Sequence, residues 1–189
     1  ATGSGKTTLA EAMAYEGKVI DRRGSIENNN TLSDNTDIEH EYKRSIYATT
    51  LFTEFMGRKL NIIDCPGGSA DFTNNAYLSI FTCGSTTKGG AISSIVPFAS
   101  HIDHTNHFID AVITEYGVAD LRRKSDMQKA QELIKVAHPD YRPMLQDYLR
   151  FAQKNGGHTQ HCLSAAFAMH DTFLSTGDMR NTNLADYIK

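Results

Sequence analysis

Apolar positions along the chain recur at helical spacing in four places and in short β-type runs in five. Lys6 to Glu16 predicts a helix, with Leu9, Ala12, Met13 and Ala14 apolar and Gly17 as a stop. Residues 21–45 carry no such period, and Asn28-Asn29-Asn30 with Ser33-Asp34-Asn35 reads as a long polar loop. Tyr47 to Phe55 and Lys59 to Ile63 predict two strands joined by a Met56-Gly57 turn, the second ending in Asp64. Further on, Asp71 to Ala76 predicts a short helix and Tyr77 to Thr82 a strand. Ile92 to Phe98 and Phe108 to Thr114 predict buried strands rich in Ile and Val.

Three helices follow. Ser125 caps the first, with Gln128 in the capping-box position, and Met127, Ala130, Ile134 and Ala137 share its apolar face. It ends near His138, because Pro139 disfavours helical geometry in the residue before it. Pro143 opens the second, which Gly156-Gly157 stops, and Thr159 caps a third carrying Leu163, Ala166, Phe167 and Phe173. The pattern is α/β throughout.

Composition narrows the classes. Hydrophobic content of 40% in 189 residues describes a folding chain with room for one ordinary domain or two small ones. No apolar run approaches the roughly 18–20 residues of a membrane helix, and no secretory leader is read, so a cytoplasmic protein without a membrane partner is expected. Cys65, Cys83 and Cys162 are odd in number and scattered, which predicts free thiols in a reducing compartment. Net charge is −3, and Arg122-Arg123-Lys124 is the single cationic cluster, so no DNA partner is expected.

Two sets of motifs carry chemistry, and they meet at Gly67-Gly68. In front, Gly3-Ser4-Gly5-Lys6-Thr7-Thr8 matches the second half of a GxxxxGK[ST] loop. There, backbone N–H groups converge on phosphate, the lysine neutralises it and the hydroxyl ligates Mg²⁺. Asp64-Cys65-Pro66-Gly67 ends a strand, as in the DxPG turn of GTPases. Residues 1–67 resemble the start of a translational GTPase of the elongation factor G type. The resemblance implies GTP and Mg²⁺ as ligands, with Asp64 holding the ion through water. Three departures count against hydrolysis: Tyr47 stands at the switch threonine, Gly68 at the water-orienting histidine, and the guanine-reading segment is missing.

Behind the join the chain carries Gly67-Gly68-Ser69-Ala70-Asp71-Phe72, Ser85-Thr86-Thr87-Lys88-Gly89-Gly90 and the His101–His107 run. Then come Ile113-Thr114-Glu115-Tyr116-Gly117, Ala137-His138-Pro139-Asp140-Tyr141-Arg142-Pro143 and Thr176-Gly177-Asp178-Met179. On these motifs, residues 68–189 resemble the C-terminal domain of the acetyl-CoA hydrolase and succinyl-CoA:acetate CoA-transferase family. That resemblance implies an acyl-CoA and a small carboxylate as partners, coenzyme A as the carried substrate, and a homodimer as a compatible assembly. It places Gly68 at the thioester and oxyanion position and makes Lys88 a CoA-binding residue. The family's catalytic glutamate lies upstream of the Gly-Gly turn, where GTPase-like sequence stands here. No catalytic residue is therefore assigned, Glu115 is given a structural role, and the chain alone is expected to be inactive. His101, His104 and His107 have spacing that could serve zinc. The family carries a similar run without a metal, so no metal site is assigned. The two alternatives are a GTP-binding P-loop protein and a non-catalytic binding or interaction protein. The two pieces are not expected to share one continuous sheet.

Overall fold

The computed structural model describes residues 5–43, 45–66, 76–99, 101–102, 104–155 and 160–187. The chain divides into two compact units, Ala1–Tyr77 and Leu78–Lys189.

In the first unit, α1 (Lys6–Glu16) starts directly after Gly5, whose φ of 83° is left-handed. Its C-terminal Gly17 is required by packing: a Cβ there would lie 1.5 Å from the Thr53 hydroxyl. Thr53 sits in β1 (Thr49–Phe55) and donates to the Met13 carbonyl at 3.3 Å, which ties the helix to the strand. β1 pairs antiparallel with β2 (Arg58–Asp64), placing Thr49 opposite Asp64 and Phe55 opposite Arg58. Met56 and Gly57 both have positive φ, the backbone that matches a hairpin's twist in a two-residue loop. Among the described residues these two strands form a sheet of their own.

The polar stretch 21–45 is not wholly a loop. Asp37–Tyr42 forms a short helix, α2, nucleated by a capping box in which Thr36 and Glu39 each accept from the other's backbone N–H. Glu11 of α1, 2% exposed, organises the preceding segment by accepting from the N–H groups of Gly24 at 2.9 Å and of Leu32.

In the second unit, β3 (Ile80–Thr82) runs parallel to β6 (Ala111–Thr114), which turns at Glu115-Tyr116 into antiparallel β7 (Gly117–Asp120). Between β3 and β6 lies a small hairpin, β4 (Thr86–Thr87) and β5 (Ile92–Ser93). The long strand expected over Ile92 to Phe98 is therefore only two residues, and β7 escaped the sequence reading. α3 (Asp126–Val136) starts at the predicted Ser125–Gln128 capping box. It packs on β7, and its last turn is fixed where Thr114 Oγ1 donates to the Val136 carbonyl at 2.7 Å.

α4 (Arg142–Asn155), α5 (Leu163–Ala166) and α6 (Ala168–Thr176) complete the unit. The main core gathers Ile134, Ala137, Tyr141, Leu145, Leu149, Met169 and Met179. A second cluster joins Tyr148 and Ala152 of α4 to Ala165, Ala168 and Leu184. The architecture is mixed α/β. The helix expected at Asp71–Ala76 falls almost wholly outside the described residues, as do Gly156, Gly157 and Thr159. Among the described residues no helix is long and apolar enough to cross a membrane, and all three cysteines are free.

Candidate functional site

Lys88, Gly89 and Gly90 form the turn of the β4–β5 hairpin, and all three have positive φ, 48°, 64° and 95°. A lysine rarely adopts that conformation, and it holds only where the surroundings fix it. Here they do so from two sides. The Tyr141 hydroxyl donates to the Gly90 carbonyl at 2.7 Å, and the Met179 N–H donates to the Ala91 carbonyl at 2.9 Å. Lys88 extends its ammonium over the Phe173 ring, 5.0 Å from the centroid. Gly89 has open space around its Cα, so Gly89→Ala should cost about 1–2 kcal/mol through backbone strain alone. Urea denaturation of the two proteins measures it.

The same region collects three of the other quoted motifs, those around Glu115, His138 and Asp178. Glu115 accepts from the Ser85 N–H at 2.9 Å and from the Ser85 hydroxyl at 2.5 Å, locking the residue before β4 to the β6–β7 turn. Desolvation pushes the Glu115 carboxyl up, but the Ser85 hydrogen bonds and nearby His138 outweigh it, and the net shift is downward. His138 meets Tyr116 edge to face at 5.5 Å and lies 3.6 Å from Asp140. Arg142 sits over the Tyr116 ring and donates to the Ala137 carbonyl at 2.8 Å. Arg180 forks onto Asp178 at 2.6–3.0 Å and reaches Asp140 at 3.9 Å. Cys83, half-buried beside this network, has its thiol pushed up by burial and by the Glu115 charge.

The front unit places its own predicted residues. Lys6 is the first residue of α1, Thr8 is exposed, and Thr7, 4% exposed, shares a 3.1 Å hydrogen bond with the Ser45 hydroxyl. Asp64 is 4% exposed, and its Oδ2 has no hydrogen-bond partner among the described residues. Gly3, Ser4 and Gly68 lie outside the described residues.

The family model for the acetyl-CoA hydrolase/transferase C-terminal domain matches residues 12–149. The chain belongs to that family. It is 42% identical over 175 residues to the succinyl-CoA:acetate CoA-transferase of Clostridium kluyveri, covering 88% of this chain and 31% of that protein. It is 49% identical over 114 residues to the propanoyl-CoA:succinate CoA transferase of Escherichia coli, covering 60% and 23%. An acetyl-CoA hydrolase of Candida glabrata is 43% identical over 156 residues, covering 77% and 28%. The chain thus spans about a third or less of these relatives. Among solved structures, a 4-hydroxybutyrate CoA-transferase from Porphyromonas gingivalis is 40% identical, with a TM-score of 0.40 over 44% of this chain and 22% of that one.

The acetyl-CoA hydrolase/transferase match begins inside α1 and runs through most of the segment whose loop and DxPG motifs resemble a translational GTPase. The relative from Clostridium kluyveri covers more of the chain than residues 68–189 alone supply. The comparisons give the GTPase resemblance, with its GTP and Mg²⁺, no support. Of the predicted family residues, Lys88 stands in the strained turn, while Glu115 is engaged by Ser85. Sequence reasoning missed Tyr141 as the residue that anchors the turn, and Arg180 as its neighbour. Tyr141 stood inside one quoted motif and Arg180 next to another, and their distance from Gly90 along the chain hid the contact.

Proposed function

We propose that this chain contributes a coenzyme A-binding surface to an acyl-CoA:carboxylate CoA-transferase or acetyl-CoA hydrolase, with Lys88 meeting a phosphate of the coenzyme. The supporting observation is the left-handed Lys88-Gly89-Gly90 turn, held from both sides by Tyr141 and Met179. Consecutive residues of this kind turn backbone N–H groups toward one point and suit an anion. A flexible cation beside them adds a charge-assisted contact. Gly68 takes the thioester and oxyanion role by resemblance, since a glycine lets backbone approach closely where negative charge develops. No nucleophile is assigned to Glu115, whose carboxylate is engaged by Ser85.

Calorimetric titration with coenzyme A tests the reading. Losing one charge-assisted phosphate contact in Lys88→Ala should weaken binding roughly ten- to a hundredfold, about 1.5–3 kcal/mol. Lys6→Ala should leave it unchanged. Equal affinity in the parent and the Lys88 variant would discard the assignment.

A second reading rests on the loop residues Gly5, Lys6 and Thr7 at the start of α1 and on Asp64 at the end of β2. The unpartnered Asp64 oxygen and the Thr7 hydroxyl fit an ion that neutralises phosphate charge. Lys6 would meet the phosphate. Mg²⁺-dependent GTP binding that vanishes in Lys6→Ala would support it, and its absence in the parent would remove it.

A further inference from the structure

The Lys88 turn has a second cation beside it. Met179, whose N–H holds the Ala91 carbonyl at 2.9 Å, opens a short 3₁₀ turn over Met179–Asn181, and Arg180 comes next in it. A Cβ added to Gly90 would lie 4.0 Å from Arg180 Nη1, so the guanidinium edge comes up against that glycine. Arg180 thus stands at the Gly90 end of the turn that Lys88 begins.

The guanidinium is oriented by its own turn. Asp178 accepts from the Arg180 backbone N–H at 2.8 Å, from Nε at 2.9 and 3.0 Å, and from Nη2 at 2.6 Å. A carboxylate gripping that side fixes the plane of the group and leaves the Nη1 side over. The acid nearest to Nη1 is Asp140, at 3.9 Å, beyond hydrogen-bonding distance, and Asp140 also faces His138 at 3.6 Å. The Arg180 side chain is 44% exposed, so a ligand from solvent can reach it. Asp178 and Asp140 offset part of its charge. Lys88 adds a cation that meets the Phe173 ring and, among the described residues, no carboxylate.

We propose that Arg180 is a second phosphate-binding residue for coenzyme A, its Nη1 meeting one phosphate on the Gly90 side of the turn while Lys88 meets another. This deepens the coenzyme A reading of the Lys88 turn and rests on it. Coenzyme A carries a diphosphate bridge and a separate ribose phosphate, so two cations on one turn have distinct groups to take. A planar guanidinium held by a carboxylate suits phosphate oxygens better than a mobile ammonium does. The contact falls on the phosphorylated nucleotide end of the coenzyme.

Calorimetric titration of the full chain with coenzyme A tests it at about 0.05 M and about 0.5 M salt. Arg180→Ala should weaken binding roughly ten- to a hundredfold at the lower salt. The gap from the parent should shrink at the higher salt, because ions screen a charge contact that only the parent makes. Arg180→Lys keeps the charge without the fork and should bind between the two. Arg150→Ala removes a positive charge paired with Asp147 on α4 and should bind as the parent does. If the alanine variant does not fold, Arg180→Gln carries the same expectation. A loss in Arg180→Ala that is equal at both salt concentrations would make Arg180 a brace for the turn and overturn the proposal. Weakening in Lys88→Ala with parent affinity in Arg180→Ala would also overturn it and leave the Lys88 reading standing. The reverse pattern would discard Lys88 and keep Arg180.

Discussion

Replacing Tyr141 by alanine should cost the second unit about 3–5 kcal/mol, a fall in its melting temperature on the order of 10 °C or more. Tyr141 is 0% exposed and lies among Ile134, Leu145, Leu149, Met169 and Met179, with Ile92 and Ile95 packed against the same cluster. Removing the ring leaves a cavity between α3, α4 and α6 that these side chains can only partly fill. Tyr141→Phe keeps the ring and loses the hydroxyl bond to Gly90, for about 0.5–1.5 kcal/mol. The two variants separate packing from positioning: the phenylalanine protein stays folded with a loosened Lys88 turn. If the turn serves coenzyme A, the Phe variant should lose affinity out of proportion to its stability. Differential scanning calorimetry is the suitable measurement, because the chain has no tryptophan and two compact units need not melt together. An alanine variant within about 1 kcal/mol of the parent would contradict this account of the core.

What could be read from the sequence was local. α1 was legible with both its ends, because the glycine before Lys6 and Gly17 after Glu16 are chain-breaking signals on either side of a periodic run. The hairpin was legible from Met56-Gly57, and α3 from Ser125 and Gln128. The same capping signature stood at Thr36 and Glu39 but went unread. Only six residues follow it, too few to show a period, and the helix they form depends on Glu39 reaching Ile46 and Tyr47. β7 was hidden because a two-residue turn at Glu115-Tyr116 carries no asparagine or leading glycine to announce it. The candidate site was half legible. Lys88 could be matched through its motif, but its strained turn depends on Tyr141 holding Gly90, 51 residues apart in the chain, and that contact has no local signal. Asp34 looked like one more polar loop residue, yet it is 3% exposed.

Glu39→Gln should destabilise the first unit by about 2–3 kcal/mol near neutral pH, and the loss should shrink in acid. The side chain is 1% exposed and accepts from four donors. One oxygen takes the N–H groups of Ile46 and Tyr47 at 3.0 and 3.1 Å, and the other takes the Thr36 hydroxyl at 2.8 Å and its N–H at 3.3 Å. An amide can match only one of those oxygens. Its NH₂ would face either the Thr36 N–H or the two strand-side N–H groups, and hydrogen bonds to a charged acceptor contribute about 1.5–3 kcal/mol each.

Desolvation pushes the Glu39 carboxyl up, but the Ile46, Tyr47 and Thr36 donors outweigh it, so its folded pKa lies below the ordinary value of 4.5. A carboxyl lowered by folding contributes its full stability above the unfolded pKa and loses it as pH falls through the folded one. Asp34, raised by folding, acts with the opposite sign: its contribution is present in acid and is lost as pH rises through the folded value. In the first unit these two shifts oppose each other, and Glu39→Gln removes the contribution that is lost as pH falls. Urea midpoints of parent and variant at about pH 7 and about pH 3.5 should converge at the lower pH. A gap that stays constant or widens in acid would mean that Glu39 does not serve as a charged acceptor in the folded protein.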